Sequence, residues 1–413
     1  MVSPFMPDEE KLAAVRELLP ATAAGIYLNT GTAGPIPAES AKAMADLAEW
    51  ELQTGRAHPS YDEEVLVRLD EARGTIAAVL HARVESIALT HGTTDGVNIA
   101  AWSLDWQPGD RLVTTDIEYP GVVAGLRQLC ARRAVELAVV DVARDGDDER
   151  TIAAFGRAID GRTRLVVCSQ VSWSTGLVLP VTELAAAAHD WGALICIDGA
   201  QAAGAVPVDV ETLGADLYAL PAKKWLLGPE GMGALYCRSG LEDRARPAFA
   251  GSLGMADPGD PGSRLVTSAR RFEATNFHTP SVVGVARSCG WMAMYVGLDW
   301  ITQRAHALAL DAFELLAAID GVELLTPARR MGTLLTFRIA GWPAQTALEE
   351  LGARVFAIAR CVPSLDALRI SVSFFNTGAE IGRFCRAVEE LAHYRPETIP
   401  ARRLLTVLGQ RDD

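Results

Sequence analysis

The sequence predicts an α/β protein in which a large, mainly parallel sheet is joined to a smaller α+β domain. Between residues 86 and 237, short apolar runs alternate with longer segments that have a helical pattern. Such alternation is typical of parallel sheets, because their buried strands are connected by crossover helices. The chain has 413 residues, of which 49% are hydrophobic, so it is long enough to bury a large core and to form two domains.

The elements predicted for the large domain follow in chain order. A first helix leads into the short strand and turn of AGIYLNTGTAGPIP, and two helices span 38–54 and 61–80. The predicted strands of the large sheet span 86–90, 111–115, 135–142, 164–169, 193–198, 216–220 and 233–237. The helices predicted between them span 95–102, 121–133, 148–159 and 181–191.

The last third of the chain has a different pattern. A polar, Gly- and Pro-rich loop at 256–263 precedes one long helical region at 280–319. The elements predicted after it are strands at 322–325, 332–339, 354–359 and 368–373 and helices at 343–352 and 377–393. This order predicts a smaller α+β domain with the long helix as its bridge. We assign residues 20–285 to the large domain, and residues 1–19 with 286–413 to the small one.

Composition and charge argue against several classes of function. The formal net charge of −14 disfavours nucleic acid or an anionic membrane as a standing partner. The apolar runs are strand-sized, so no transmembrane helix is predicted, and the N-terminal stretch carries acidic residues rather than the basic start of a signal peptide. The seven cysteines are scattered without metal-ligand spacing. They are interpreted as reduced thiols of a cytoplasmic protein with no disulfide framework and no zinc site.

Two adjacent lysines lie in a segment that carries almost no other charge. Lys223 and Lys224 follow the predicted strand 216–220 and precede a Gly- and Pro-rich turn. Apolar surroundings disfavour the ammonium form of a lysine, so its amine becomes able to form a Schiff base. The alternative is a solvated lysine pair at a strand end, which this segment alone does not exclude.

Polar residues also end or follow other predicted strands. Thr93 and Thr94 come after strand 86–90 at the start of a helix, where free N–H groups and the helix dipole suit a phosphate. Ordinary N-capping is the alternative there. Asp198 ends the apolar strand 193–198, where a carboxylate is costly unless it faces a cation. A plain turn residue is the alternative for Asp198.

An aromatic ring and an arginine complete this set of residues. Tyr119 follows the strand that begins at residue 111, where its ring can stack on a planar cofactor, with core packing as the alternative. Arg369 lies in the apolar run LRIS, and its planar guanidinium suits an amino-acid carboxylate. An arginine on the surface of an edge strand is the alternative. In chain order the sequence thus offers a phosphate cradle, a stacking ring, a buried acid, a lysine and a carboxylate clamp.

This order of residues resembles the fold-type I pyridoxal phosphate (PLP) enzymes. Within them it is similar to the class V aminotransferase-like family of cysteine desulfurases, isopenicillin N epimerase and hercynylcysteine sulfoxide lyases. The motifs that carry the resemblance are HGTTDGVN, SQVSWSTG, ICIDGAQAAG and KKWLLGPEGMGALY, and it extends from YLNTGTAGPIP to LRISVSFFNT. The resemblance implies the PLP-dependent transferase fold type I and pyridoxal 5'-phosphate as the cofactor.

The resemblance also implies roles for single residues. Lys224 would form the Schiff base, Asp198 would pair with the pyridine nitrogen and keep it protonated, and Arg369 would bind the carboxylate of an amino-acid substrate. The further cofactor contacts that it implies are Thr93 and Thr94 to the phosphate, Tyr119 stacked on the ring, Gln201 near the ring hydroxyl and Lys223 as a second cation.

Two more residues are assigned through the same resemblance. Thr275, in the segment RFEATN, is expected to reach the phosphate bound in the partner subunit, which implies a homodimer with a shared active site. Asn29 is expected to bind substrate. Its loop, 29–34, together with the loops at 56–61 and 252–263, is expected to set substrate selectivity.

Departures from the family pattern narrow the chemistry. Desulfurases usually stack a histidine on the ring, whereas this chain has Tyr119, and Lys223 stands where histidine is common. Cys361 directly follows Arg360, so the loop that carries the persulfide cysteine in desulfurases is expected to be short and out of register. Trp173 stands where desulfurases tend to have asparagine, which leaves the contact to the ring hydroxyl open.

The first functional hypothesis is a PLP-dependent C–S lyase that acts by β-elimination on an S-conjugated cysteine in small-molecule or antibiotic biosynthesis. β-Elimination needs only a leaving group on Cβ, and the chain also resembles enzymes that process S-cysteinyl intermediates of lincosamide pathways. Decarboxylation-coupled oxidative deamination, epimerisation and transamination stay open, and a cysteine desulfurase is favoured less. A non-catalytic domain used for binding or regulation is the alternative from another class.

Overall fold

The structure is a computed structural model that describes residues 3–260 and 262–401. Its strands are β1 (Ile26–Tyr27), β2 (Ile87–Thr90), β3 (Arg111–Thr115), β4 (Glu136–Val140), β5 (Thr163–Ser169), β6 (Leu194–Asp198), β7 (Leu217–Pro221), β8 (Gly233–Cys237), β9 (Val322–Leu324), β10 (Leu334–Ile339), β11 (Ala357–Ile358), β12 (Arg360–Val362) and β13 (Ala367–Ser371). Its α-helices are α1 (Asp8–Glu17), α2 (Ala38–Thr54), α3 (Pro59–Leu80), α4 (Thr93–Trp102), α5 (Pro120–Arg133), α6 (Asp148–Ala158), α7 (Val181–His189), α8 (Thr279–Gly290), α9 (Leu298–Ala317), α10 (Ala344–Val355) and α11 (Gly378–His393).

The large sheet has the strand order β2-β8-β7-β6-β5-β3-β4. β8 runs antiparallel to both of its neighbours, and the other neighbouring pairs are parallel. The prediction of a large, mainly parallel sheet is therefore confirmed. Residues of β6 show why the strands are apolar throughout: Leu194 and Cys196 pack into one core cluster, while Ile195 and Ile197 pack into the cluster on the opposite face.

Helices cover both faces of this sheet. α4 and α5 contribute Val97 and Leu126 to the cluster on one face, and α3 and α7 contribute Ile76 and Leu184 to the cluster on the other. Because parallel strands run in the same direction, their carboxyl ends lie at one edge of the sheet. The loops that follow β5, β6 and β7 therefore lie together. The polar residues at these strand ends are thereby brought to one place.

The long helix predicted at 280–319 is interrupted, which corrects that prediction. α8 ends at Gly290, a π-helical turn spans Trp291–Val296, and α9 starts only after Gly297. Gly297 has a φ of +92°, a conformation that glycine adopts without the penalty other residues incur. The bridge between the two parts of the chain is thus two helices and a turn rather than one continuous helix.

The strand predicted at 354–359 is also different in the structure. α10 continues to Val355, and Phe356 then takes a left-handed conformation with φ of +56°. The chain reverses there, so that β11 pairs in parallel with β1 and the next short strand, β12, joins the smaller sheet. This pairing partner lies more than 300 residues away along the chain, and a local sequence pattern contains no information about it.

The smaller sheet is antiparallel, with the order β12-β13-β10-β9. Its inner face supplies Phe337 and Leu368 to a separate core cluster, to which α9 and α11 contribute Leu316 and Phe384. Thr377 and Glu380 cap the start of α11 reciprocally, as the capping-box pattern requires. This part of the chain has the α+β organisation that its sequence predicts.

The assigned domain limits, 20–285 against 1–19 with 286–413, stay a prediction. Their outermost parts, residues 1–2 and 402–413, lie outside the described residues, as does residue 261 of the loops predicted at 252–263 and 256–263. Among the helices that the structure does describe, none has the length and apolarity needed to cross a membrane.

Candidate active site

A cavity of about 400 Å³ lies at the carboxyl ends of the parallel strands. Eight of the ten residues that the sequence singled out line this cavity: Thr93, Thr94, Tyr119, Asp198, Gln201, Lys223, Lys224 and Arg369. Asn29 and Thr275 lie elsewhere. The structure therefore brings together residues that are up to 276 positions apart in the chain.

Lys224 lies in the turn after β7 and is partly buried in the cavity wall. Burial lowers the pKa of its amine to about 8, although the nearby Asp198 carboxylate favours the ammonium form. The positive charges of Arg369 and Arg360 lower this pKa further. At pH 7 roughly a tenth of the amine is then unprotonated, far more than for a lysine of ordinary pKa, and this supplies the free amine that a nucleophilic or basic lysine requires.

Asp198, at the end of β6, is buried, and its Oδ1 accepts a hydrogen bond of 2.8 Å from the backbone N–H of Ala200. Burial raises the pKa of this carboxyl, while the Ala200 N–H and the charge of Lys224 act in the opposite direction. A carboxylate placed here has room for one more charge-assisted partner in the cavity.

The phosphate cradle predicted from the sequence lies at the N-terminus of α4. Thr93 is the first residue of α4, so the helix begins two residues earlier than the predicted start at 95, and both threonines are inside it. The Oγ1 of Thr93 is buried and has no hydrogen-bond partner among the described residues. An unpartnered hydroxyl beside the free N–H groups of a helix start is suited to a phosphate oxygen.

Tyr119 and Trp173 form an aromatic corner in the cavity. Their rings meet edge to face, with centroids 5.6 Å apart and an interplanar angle of 86°. Tyr119 is 43% exposed, so it is a cavity residue and core packing is ruled out for it. The indole N–H of Trp173 donates to the backbone oxygen of Glu118 at 3.2 Å, which fixes the indole orientation.

Two arginines share one threonine at the other end of the cavity. Arg369, on β13, donates to Thr32 Oγ1 at 3.1 Å and to the backbone oxygen of Trp173 at 2.6 Å. Arg360, on the paired strand β12, donates to the same Thr32 Oγ1 at 3.2 Å. Burial lowers the pKa of Arg369 to about 9, and the charge of Arg360 adds to this effect. Within residues 3–260 and 262–401, neither guanidinium forms an ion pair with a carboxylate. Both positive charges are therefore available to an anionic ligand.

Gln201 and Lys223 are partly used by contacts within the protein. The Nε2 of Gln201 donates to the backbone oxygen of Gly31 at 2.9 Å, and its Oε1 accepts from the indole N–H of Trp225 at 2.9 Å. One N–H of this amide stays available to a ligand. Lys223 reaches Glu230 at 3.0 Å in a partly exposed ion pair at the cavity mouth.

Asn29 and Thr275 lie outside the cavity lining. Asn29 forms a bridge to Ser371, and its Oδ1 is buried without a partner in the described part of the chain. Thr275 lies in a second groove of about 280 Å³, beside Phe277 and the 79% exposed Phe249. These positions neither establish nor exclude the roles predicted for the two residues.

Two residues, one lining the cavity and one directly behind it, were not assigned a role from the sequence. Glu118, just past β3, is 6% exposed, and its Oε1 accepts from Thr115 Oγ1 at 2.6 Å and from the Ser169 N–H at 2.9 Å. Its Oε2 lies 2.5 Å from the Oγ of Ser169, which lines the cavity. Burial raises the pKa of Glu118 to about 7 despite these hydrogen bonds, and the charge of Asp198 raises it further. The sequence shows that an acid, Glu118, precedes a Tyr-Pro pair, but it does not show that this acid contacts Ser169 on β5.

The fold and this arrangement of residues define a class of enzyme. The chain belongs to the class-V aminotransferase family, whose sequence model matches residues 26–384. The similarity extends to a probable cysteine desulfurase of Methanothermobacter thermautotrophicus, which is 29% identical over 94% of this chain and 99% of its own length. A cysteine desulfurase of Klebsiella pneumoniae is 29% identical over 79% of this chain and 83% of its own length.

Solved structures show the same fold. A mutant of C-DES with glycine covalently linked to its PLP cofactor superposes with a TM-score of 0.85 at 23% identity, over 91% of this chain and 98% of that one. The apo cysteine desulfurase of Thermococcus onnurineus has a TM-score of 0.84 at 25% identity, over 95% of this chain and all of that one. The prediction of the PLP-dependent fold type I is therefore confirmed.

The predicted cofactor is confirmed as well. Class-V aminotransferases use pyridoxal 5'-phosphate, and so does this member of the family. The residues present fit it: a buried hydroxyl without a partner at Thr93, a buried carboxyl at Asp198 and a lysine of lowered pKa at Lys224 all face one cavity. The chain is accordingly a PLP-dependent class V enzyme with cysteine desulfurases among its relatives.

Proposed function

We propose that this enzyme is a C–S lyase that performs β-elimination on an S-substituted cysteine carrying a second anionic group. The pathway predicted from the sequence, small-molecule or antibiotic biosynthesis, belongs to this proposal, as do a cytoplasmic location and a homodimer with a shared active site. The single observation that carries the proposal is the position of Cys361 relative to the cavity.

Cys361 lies on the face of the smaller sheet that is turned away from the cavity. Its neighbour Arg360 lines the cavity, and successive residues of a strand point to opposite faces. Cys361 is also paired across the sheet with Leu368, a residue of the smaller core cluster. Burial raises the pKa of the Cys361 thiol, which makes it a weaker nucleophile at neutral pH.

The other cysteines give no substitute for it. All seven lie in the described residues; six of them are buried, and none of the seven lines the cavity in that part of the chain. Transfer of sulfur to a thiol of this chain therefore has no acceptor at the site. β-Elimination requires no such acceptor, since the sulfur leaves with its substituent.

The positions of these residues in one cavity support their proposed roles. Thr93 and Thr94 would hold the cofactor phosphate, Tyr119 would stack on the cofactor ring, and Asp198 would pair with the ring nitrogen. When bound, pyridoxal 5'-phosphate withdraws electrons from the substrate Cα and thereby acidifies its proton. Lys224, with its lowered pKa, is the base that takes this proton.

The overall reaction balances without an added oxidant or reductant. The Cβ–S bond breaks with its electron pair on sulfur, which takes up a proton and leaves as a thiol or persulfide. Water then completes the conversion of the remaining three-carbon fragment to pyruvate and ammonium. The products from RS–CH₂–CH(NH₃⁺)–COO⁻ and water are thus RSH, pyruvate and ammonium.

The two arginines support a substrate with two anionic groups. Arg369 is buried, and its proposed role is to bind the α-carboxylate. Arg360 lies beside it, 5.9 Å from the Trp173 ring centroid and without an acidic partner among the described residues. Cystine, the substrate named for the structural neighbour C-DES, has such a second carboxylate. We extend that substrate class to this chain as a proposal.

The second candidate is a cysteine desulfurase, which the names of the sequence relatives favour. The two functions differ in their products. A desulfurase leaves alanine and a persulfide on its own cysteine, whereas the lyase leaves pyruvate, ammonium and a released thiol or persulfide. Cys361→Ser separates them, because it abolishes desulfurase turnover and leaves lyase turnover unchanged.

The test is therefore incubation of the purified holoenzyme and its Cys361→Ser variant with cystine, with S-methylcysteine and, for the desulfurase reaction, with free cysteine. We expect pyruvate and ammonium in equal amounts from both proteins. Alanine formed only by the unchanged protein would establish the desulfurase instead. A D-amino acid would indicate an epimerase, and release of carbon dioxide would indicate oxidative deamination.

Arg360 is tested in the same assay. Arg360→Ala should raise KM for cystine by about 10- to 100-fold, because a charge-assisted hydrogen bond contributes about 1.5–3 kcal/mol. KM for S-methylcysteine, which has no second carboxylate, should change little. Arg360→Lys is the control that keeps the charge. An equal effect on both substrates would show that Arg360 does not bind the distal group.

A further inference from the structure

Glu118 is a buried acid that the proposed reaction does not use. It lies just past the end of β3, between Thr115, the last residue of that strand, and Ser169 of the neighbouring β5. Its hydrogen-bond partners are the Thr115 hydroxyl, the Ser169 N–H and the Ser169 hydroxyl, and all of them are uncharged. A buried carboxyl without a cation beside it is costly to ionise, so burial moves its pKa upward toward neutral pH. Both its protonated and its ionised form are then accessible.

The hydrogen-bond inventory determines where a proton on Glu118 must be. Oε1 already accepts from Thr115 and from the Ser169 N–H. A proton therefore resides on Oε2 and is donated to the Ser169 Oγ, 2.5 Å away. With Glu118 ionised, the same contact is reversed, and the Ser169 hydroxyl donates to Oε2.

Ser169 carries this reversal into the cavity. A serine hydroxyl has a single proton. When that proton points at Glu118, Ser169 offers only lone pairs to the cavity that it lines; when Glu118 is protonated, the Ser169 proton is free to point into the cavity. The cavity wall thus presents an acceptor in one state and a donor in the other.

We propose that Glu118 is a positioning residue that sets the hydrogen-bond direction of Ser169 toward the bound cofactor. The proposal rests on the cofactor cavity and is independent of the C–S lyase assignment, since it requires no substrate. Glu118 acts only through Ser169 and does not itself line the cavity in the described structure.

Of the titratable groups around it, Glu118 is the one that we expect to change its protonation state near neutral pH. Cys168 on β5 and Cys196 on β6 both interact with it, but burial raises the pKa of each thiol so that both stay neutral over the physiological range. Asp198 on β6 is the other carboxyl nearby, and its charge disfavours a second negative charge on Glu118. Ionisation of Glu118 is expected with a midpoint of about 7.

The test uses the holoenzyme without substrate and two readouts. Infrared difference spectra between acid and alkaline buffer report the carbonyl band of a buried, protonated carboxyl, and absorbance reports the bound cofactor. In the unchanged protein the band and a component of the cofactor absorbance should titrate together. Glu118→Gln, whose amide donates permanently to Ser169, should lose both titrations.

Two further variants separate positioning from folding. Ser169→Ala should keep the infrared titration but lose its effect on the cofactor absorbance, because the hydroxyl that transmits it is gone. Thr115→Val removes one hydrogen bond that stabilises the ionised carboxyl, so both midpoints should shift upward together. The proposal is overturned if the absorbance titration is the same in all four proteins, or if no band titrates in the unchanged one.

Discussion

The chemistry of a single residue here depends on what surrounds its polar atom. Lys223 and Lys224 are chemically identical and adjacent, yet one pairs with Glu230 at the cavity mouth while the other has its pKa lowered to about 8. The difference arises because the turn after β7 points one amine outward and the other toward Asp198. Burial acts on Glu118 in the same way and raises the pKa of its carboxyl to about 7.

Lys224→Ala should abolish the covalent attachment of the cofactor and reduce turnover by several orders of magnitude, because the Lys224 amine has a lowered pKa and lies near Asp198, whereas Lys223 pairs with Glu230. Borohydride reduction followed by peptide mass spectrometry measures the attachment directly. Lys223→Ala is the matched control and should keep the modified peptide. Reduced cofactor found attached to any peptide of the Lys224→Ala protein would contradict the assignment.

Glu118 predicts a pH dependence of stability. Its folded pKa of about 7 lies above the ordinary value of 4.5, so the folded state keeps a proton that the unfolded state releases. The resulting stabilisation is complete below pH 4.5 and is lost as the pH rises through 7. Relative to Glu118→Gln, the unchanged protein should lose about 3 kcal/mol over this window. Urea unfolding of both proteins at several pH values measures the difference, and parallel curves would refute it.

At the residue scale, the sequence predicted the cavity residues better than their partners. Lys224, Asp198 and Arg369 were identifiable because a charge in an apolar run needs a reason, and that reason proved to be a shared cavity. Glu118 and Ser169 were not, since their contact joins two strands 51 residues apart. A single carboxylate at a strand end has no local signature of the hydroxyl that it will meet.

At the scale of elements, the strands were more predictable than the turns and breaks that connect elements. β3 and β8 have the predicted limits, because an apolar run of strand length between turn residues has few alternatives. The break at Gly297 and the reversal at Phe356 were not predicted. Both depend on single backbone conformations, which a helical or strand-like pattern of side chains does not encode.

Gly176, in the loop after β5, allows a test of one such backbone conformation. It has a φ of +76°, and a Cβ built on it would lie 2.1 Å from the backbone oxygen of Leu334 on β10. Gly192 has a φ of +73° with nothing near its Cβ position in the described structure. Gly192→Ala should therefore cost about 1 kcal/mol of unfolding free energy from backbone strain alone. Gly176→Ala should cost several times more, because a backbone carbonyl cannot move aside as a side chain can.

Chemical denaturation of the two glycine variants beside the unchanged protein measures this difference. Equal losses of stability would show that β10 and the loop after β5 are not in fixed contact. The comparison is informative because both substitutions introduce the same methyl group at nearly the same backbone angle.

For the whole molecule, the proposed homodimer is the property that remains to be measured. The groove that contains Thr275 is largely apolar, and Phe249 at its edge is 79% exposed. Exposed apolar area of this kind is typical of interfaces. We expect Phe249→Asp to shift the protein from dimer to monomer in light scattering, whereas Phe5→Asp, at another exposed phenylalanine, should leave it unchanged. A monomer at all concentrations in the unchanged protein would contradict the proposal.

The hydrogen bonds that Thr32 accepts from Arg360 and Arg369 have a consequence for synthesis on the ribosome. Thr32 leaves the ribosome early, but its partner Arg369 lies 337 residues later. The threonines, the aspartate and the lysine that we propose to bind the cofactor all lie between residues 93 and 224, so they are translated well before either arginine. A nascent chain can therefore contain every one of these residues before the arginines proposed to select an amino acid have been made.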